Sequence, residues 1–235
     1  MLTFTRMVDI ATNVESVRRR IAAAAEAAGR TAADVTLLAV SKRVDQERVA
    51  AALDCGIEAL GENRVQESEI KIPQVSRPVQ WHYIGPLQSN KARRAGMLFD
   101  AIHSVDRDSL IPRLAAAPRR DKNPLGIYVQ VGAAALADPS QVLEATLSLC
   151  RQVEIADALR LEGLMTMAPY DPDPEAARPT FRGLRGLRDR IQDEGEFTAP
   201  LGLSMGMTGD FEVAIQEGAT IVRVGTAIFG PRQPR

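Results

Sequence analysis

The chain has 235 residues, 45% of them hydrophobic and 25% charged, with a formal net charge of −1. That length and balance suit one large soluble domain or two small ones. The near-zero charge supplies no field to gather nucleic acid or an anionic membrane, and no apolar run is long enough to cross a bilayer.

Met1 to Arg6 has no apolar core behind its basic residue, so no signal peptide is expected. Thr12 with Glu15 three residues on reads as a capping box. Ile10, Val14, Val17, Ile21 and Ala25 then recur at helical spacing until Gly29. This helix precedes the first strand, so it is an extra element that could cover one end of the fold. Val35 to Val40 is the first strand, and Asp45 to Cys55 a helix ended by Gly56. Ala59 to Gly61 is a short second strand, and Asn63 with Gln66 forms a capping box for a helix reaching about Lys71.

Val79 to Ile84 reads as the third strand, Gln88 to Gly96 as a basic helix, and Ala101 to Val105 as the fourth strand, with Asp106 able to cap a helix after it. Gly126 to Val131 is the fifth strand. Asp138, Pro139 and Gln141 are an N-cap, a first-turn proline and a glutamine at the third position of a helix running to about Ala158. Leu161 to Met167 is the sixth strand, and Thr180 to Arg190 a helix with Phe181, Leu184, Leu187 and Ile191 on one face. Leu201 to Ser204 is the seventh strand, Thr208 to Glu217 a helix ended by Gly218, and Ile221 to Val224 the eighth strand. Cys55 and Cys150 match no metal or redox spacing and read as reduced core thiols of a cytoplasmic protein. Two histidines are too few for a multi-histidine metal site.

Strands alternating with helices imply parallel pairing, and eight such units in a chain of this length imply an α/β fold: a single (β/α)8 TIM barrel with an extra N-terminal helix. The barrel proper should run from about 35 to 230 within one domain over 1–235, since no linker divides the chain. An open doubly wound sheet is disfavoured by the lack of a GxGxxG motif after the first strand.

In a barrel the ligand face is built from the residues just after each strand. Those positions hold Lys42, Asn63, His82, Ser104, Met167, Ser204 to Gly206, and Arg223 to Thr226. Lys42 ends the apolar run Thr36-Leu37-Leu38-Ala39-Val40-Ser41. It is either a surface lysine just past a strand or a desolvated amine suited to Schiff-base chemistry. Ser204, Met205 and Gly206, with Gly225 and Thr226, combine hydroxyl donors and small residues where barrels commonly hold phosphate; they read equally as tight turns using glycine for geometry. Arg223 sits within the last strand and needs a partner, either a carboxylate such as Glu62 or a ligand atom. Because the first and last strands adjoin in a closed barrel, Lys42 and Arg223 could share a pocket. Asn63 reads most simply as a helix cap and His82 as a satisfied core histidine, while Lys91-Ala92-Arg93-Arg94 reads as a solvated helix face.

Six motifs stand in order: Ala39-Val40-Ser41-Lys42; Gly61-Glu62-Asn63-Arg64-Val65-Gln66-Glu67; Trp81-His82-Tyr83-Ile84-Gly85; Leu87-Gln88-Ser89-Asn90-Lys91; Leu203-Ser204-Met205-Gly206-Met207-Thr208-Gly209-Asp210; and Arg223-Val224-Gly225-Thr226-Ala227-Ile228-Phe229-Gly230. Together, over about Val35 to Gly230, they resemble the pyridoxal-phosphate homeostasis proteins, also called proline synthetase co-transcribed homologues. The resemblance implies a barrel similar to the N-terminal domain of alanine racemase, with pyridoxal 5′-phosphate held as an aldimine on Lys42. It implies that Arg223 faces the pyridine nitrogen, that Ser204, Gly206, Gly225 and Thr226 hold the phosphate, that Met205 also belongs to the cofactor site, and that Asn63 and His82 line the pocket. Two segments depart from the family pattern. Gly132 to Asp138 lacks the usual Lys-x-Gly element, and Arg43 replaces the more usual threonine.

The function so implied is cofactor homeostasis without robust turnover, with apo pyridoxal-phosphate enzymes as possible receivers, no nucleic-acid or membrane partner, and a monomeric state. The alternative is a pyridoxal-phosphate-dependent racemase-like enzyme. Racemases resembling this barrel carry a further β domain and a partner tyrosine; this chain ends at Arg235 and has no tyrosine after Tyr170, so a two-base racemase is not expected. A cofactor-free Schiff-base aldolase is a third reading, and lack of colour would distinguish it.

Overall fold

The eight apolar runs become eight parallel strands: β1 (Thr36–Val40), β2 (Ala59–Glu62), β3 (Gln80–Tyr83), β4 (Ala101–Val105), β5 (Leu125–Gln130), β6 (Leu159–Met165), β7 (Gly202–Met207) and β8 (Ile221–Val224). The computed structural model describes residues 8–119, 123–195, 197 and 199–231, so the expectation for Met1 to Arg6 lies outside the described residues. Each strand pairs with its neighbour in sequence, and β8 closes onto β1 with Leu38 in register with Arg223. Closure leaves no unpaired strand edge. The helices are α1 (Ile10–Ala27), α2 (Gln46–Asp54), α3 (Val65–Lys71), α4 (Ser89–Leu98), α5 (Ile111–Ala115), α6 (Leu143–Glu154), α7 (Arg178–Gly195), α8 (Phe211–Gln216) and α9 (Thr226–Phe229). The fold is therefore the expected (β/α)8 barrel with an extra N-terminal helix.

That extra helix does not cap a barrel end. It lies along the outer layer against α2, α8 and α9, over the β8–β1 seam. Asn13 Nδ2 donates to the Ile228 carbonyl at 2.9 Å, and Arg18 donates to the Cys55 and Gly56 carbonyls at 2.9 and 2.7 Å. Ile10, Val14, Val17 and Ile21 form its buried stripe, as their spacing requires.

Several caps differ from expectation. α1 is capped by Asp9, whose carboxylate takes both the Thr12 N–H at 3.0 Å and its hydroxyl at 2.7 Å, so Thr12 is a donor inside the first turn. Asn63 is not the cap of α3: Arg64 holds that position without a side-chain bond. Asp106 caps nothing; a turn of 3-10 helix from Asp108 precedes α5. Asp138 does accept the Ser140 N–H, but the turn it opens is 3-10, and the α-helix begins at Leu143. β7 runs on to Met207 instead of stopping at Ser204, and α8 begins only at Phe211.

Two cores share the sheet. The outer one lies between strands and helices and includes Phe181, Leu184, Leu187 and Ile191 of α7, all fully buried. Cys150 belongs to it, its thiol pushed up to about 12 by burial, while Cys55 is only half-buried at the end of α2. The inner one fills the barrel with Leu38, Ala59, Tyr128, Met165 and Ile221. Gly163 in β6 has φ +149°, and a Cβ there would overlap the Gly202 carbonyl of β7. Gly163→Ala should therefore cost about 2 kcal/mol or more, read as a lower denaturation midpoint in urea. An unchanged midpoint would show that the β6–β7 contact can open without cost.

Candidate functional site

β1 ends at Val40, and the chain turns at once. Val44 N–H donates to the Ser41 carbonyl at 3.0 Å, which places Lys42 and Arg43 at the centre of a tight turn. Arg43 has φ +60°, the one positive-φ residue other than glycine among the described residues. The turn is pinned from below. Ser41 Oγ donates to Glu62 Oε1 at 2.8 Å, and Lys71 Nζ reaches that same oxygen at 2.6 Å and the Ser41 carbonyl at 2.7 Å. Glu62 is fully buried, so Lys71 supplies the charge it requires. Glu62 is thus not the partner of Arg223.

Lys42 is half-buried and borders a cavity of about 170 Å³ whose wall includes Arg43, Arg48, Gly225 and Thr226. The β1–β8 pairing brings these residues together, because their loops leave adjacent strands on the same face. A Cβ at Gly225 would stand 3.4 Å from Val40, an ordinary contact, so space here is not the constraint.

Arg223 occupies a separate place. It is in register with Leu38, two residues before the end of β1. Arg223 is 3% exposed inside the barrel and is not among the residues lining the Lys42 cavity. Its Nη1 donates to Ser204 Oγ at 2.7 Å and its Nη2 to the Thr166 carbonyl at 2.8 Å. Burial pulls its pKa down to about 10, against the opposing charge of Asp210, so it remains a cation at neutral pH.

The chain of contacts continues across the barrel. Ser204 Oγ lies 2.8 Å from His103 Nδ1, His103 Nε2 lies 2.8 Å from His82 Nδ1, and His82 Nε2 lies 3.4 Å from Gln80 Oε1. One set of tautomers satisfies every link. Ser204 receives from Arg223 and donates to His103; His103 donates from Nε2 to His82, which donates from Nε2 to Gln80. Both imidazoles are then neutral, as burial demands. It lowers His82 to about 4 and His103 well below the ordinary value, helped there by His82 and the Arg223 cation.

Sequence reasoning does not single out His103. The alternation around outward-facing Ile102 is the available signal, since it points His103 inward toward the level of His82.

The remaining residues divide in kind. Thr226 is exposed on the cavity wall and Asn63 is half-buried just beyond β2, its backbone pressed by Gly85. Met205 is fully buried in the outer core. Gly206 has φ +90°, and a Cβ there would meet Ala214 Cβ of α8 at 2.6 Å, so its smallness serves helix packing. The departing loop folds as a 3-10 turn, Ala133–Ala137, with Leu136 buried against Gly183 of α7. Among the described residues no cluster of His, Cys, Asp and Glu could hold a metal, and no helix is long and apolar enough to cross a membrane.

An eight-stranded barrel with a lysine after β1 and a Gly-Thr pair after β8 defines a class, and the family model for the alanine racemase N-terminal domain matches residues 12–233. Solved structures agree: alanine racemase from E. faecalis is similar in fold, with a TM-score of 0.64 at 14% identity over 95% of this chain and 59% of that one. Within that class the chain belongs to the pyridoxal phosphate homeostasis protein family. It is 39% identical over 235 residues to the protein of that name from Escherichia coli, covering 96% of this chain and 98% of the other. It is 40% identical over 232 residues to the one from Pseudomonas aeruginosa, covering 96% and 97%. PipY of Synechococcus elongatus, solved with PLP bound, is 31% identical with a TM-score of 0.77, covering 94% of this chain and 100% of that one.

The neutral histidine pair makes stability depend on pH with a definite sign. A group whose folded pKa is depressed contributes stability above its unfolded value that is lost as pH falls toward the folded one. For His82 that window runs from 6.5 down to about 4, and the loss amounts to roughly 3 kcal/mol. Denaturation free energies measured from pH 7 to 4 should fall in this window, and the double variant His82→Gln with His103→Gln should flatten the curve. An equally steep curve in the double variant would assign the effect to other groups.

Proposed function

We propose that this protein binds pyridoxal 5′-phosphate at the mouth of one barrel domain, covalently through Lys42, and serves in cofactor homeostasis without robust turnover. The observation that carries the reading is the single cavity shared by Lys42, Gly225 and Thr226 at the β1–β8 seam. The donor set fits such a group: a primary amine on one wall, a hydroxyl and an uncrowded glycine on the other, and guanidinium charge beside them. When bound, the cofactor supplies an aldehyde that condenses with a primary amine and releases water.

Each residue has its own task. Lys42 offers the amine, held in place by a turn that Glu62 and Lys71 brace. Thr226 donates its hydroxyl to the phosphate, and Gly225 leaves room for it. Arg223 has donors beyond those given to Ser204 and Thr166, and on this reading one of them would serve the cofactor ring, as the family resemblance implies. His82 and Ser204 take part through Arg223, while Met205 and Gly206 shape the end of β7. Asn63 borders the mouth from β2. The relatives' name and the PLP in PipY support the same reading.

Turnover needs a positioned base. Among the described residues the cavity wall carries no histidine, tyrosine or cysteine. Its carboxylate, Asp45, caps α2, and the Arg48 N–H holds its pKa below the ordinary value. Arg223 only donates hydrogen bonds. Beside Lys42 the described wall thus offers no second base, which favours a carrier over a two-base racemase; on this reading the protein is a cytoplasmic monomer that passes cofactor to apoenzymes.

Borohydride treatment of the protein loaded with pyridoxal phosphate should fix a pyridoxyl group on the peptide containing Lys42, and Lys42→Ala should take up none. Label on Lys71 or Lys91 would overturn the assignment. Thr226→Val should weaken cofactor binding by roughly 1.5–3 kcal/mol, measured by equilibrium titration. Incubation with L-alanine in deuterated water should give negligible deuterium at Cα; exchange near 1 per second or faster, a rate on the order of ordinary enzymes, would favour the racemase-like alternative.

A further inference from the structure

Two of the residues expected to cradle a phosphate are occupied elsewhere. Ser204 Oγ receives from Arg223 at 2.7 Å and lies 2.8 Å from His103 Nδ1, and Gly206 is pressed onto α8. The cavity at Lys42 nevertheless has a cationic wall. Arg48 is committed there: its Nε bonds Asp45 at 2.8 Å and its Nη1 the Phe229 carbonyl at 3.2 Å.

Arg43 differs. It is exposed, lines the cavity, and makes no hydrogen bond or ion pair with any described residue. Its backbone sits at φ +60°, a conformation in which glycine or asparagine is at ease and a long side chain is strained. A strained backbone at a ligand cavity, carrying a guanidinium with no partner among the described residues, is an arrangement in which the ligand supplies the compensation.

We infer that Arg43 is an anion-binding residue of this cavity and contacts the phosphate of the cofactor opposite Thr226. The inference rests on the function proposed above. A guanidinium presents paired N–H donors that match a phosphate's oxygens, and on this wall Arg43 keeps all of its donors, whereas Arg48 has given its Nε and one Nη1 donor to Asp45 and Phe229. Arg43 thereby adds charge-assisted donors to the phosphate site, and it favours phosphorylated over unphosphorylated forms of the vitamin.

The test is equilibrium titration of the full chain with pyridoxal phosphate and with pyridoxal, which lacks the phosphate. R43A should weaken pyridoxal phosphate about tenfold and leave pyridoxal unchanged, and R43K should recover most of the loss. R43G relieves the backbone strain while removing the charge, so it should fold and lose affinity as R43A does. Wild-type affinity for pyridoxal phosphate in R43A or R43G, or an equal loss for both ligands, would overturn this inference alone. Failure of the unsubstituted protein to bind pyridoxal phosphate would overturn it together with the proposed function.

Discussion

A guanidinium sealed inside a barrel sets terms for everything near it. Arg223 is 3% exposed, and a cation in that position must be met by oriented acceptors. The Thr166 carbonyl and Ser204 Oγ meet it directly. Ser204 can accept only if its own proton goes elsewhere, which requires a neutral His103 turned to receive it; His103 in turn requires His82. One buried charge thus dictates a hydroxyl orientation and two tautomers across three further strands. The cost of leaving any member unpartnered makes the network an all-or-none feature of the interior.

The network also explains how labour is divided at the mouth. Ser204 Oγ is engaged by Arg223 and His103. The groups lining the cavity at the β1–β8 seam are Lys42 with Arg43 on one side and Gly225 with Thr226 on the other. The turn carrying Lys42 is rigid for a different reason: the buried Glu62 carboxylate ties Ser41, and through Lys71 the helix α3, to the end of β2. Two buried charges, Arg223 and Glu62, therefore frame the site without lying on its wall.

The outer layer reinforces the same seam. α1 straps α2, α8 and α9 together from outside, through apolar contacts and through Asn13 and Arg18 on backbone carbonyls. Strands β1 and β8 are the two ends of the barrel in chain order, so their pairing closes the longest loop in the fold. An added helix laid across that seam stabilises the closure on which the candidate site depends.

Much of this was legible in the sequence. The eight apolar runs and their alternation with helical stripes determined the barrel, because buried parallel strands and amphipathic helices have distinct periods. The position of Lys42 after the first run, and of Gly225 and Thr226 after the last, followed from that order alone. Caps were less legible: Asp9, Asn63 and Asp106 show that several polar residues near a helix start can each satisfy the rule, and only the local dihedral angles choose among them. Only the tertiary structure decided the partners of the buried charges. Arg223 with Ser204 and His103, and Glu62 with Lys71, are pairings between residues remote in sequence, selected by strand register and by the cost of desolvation, neither of which a linear spacing records.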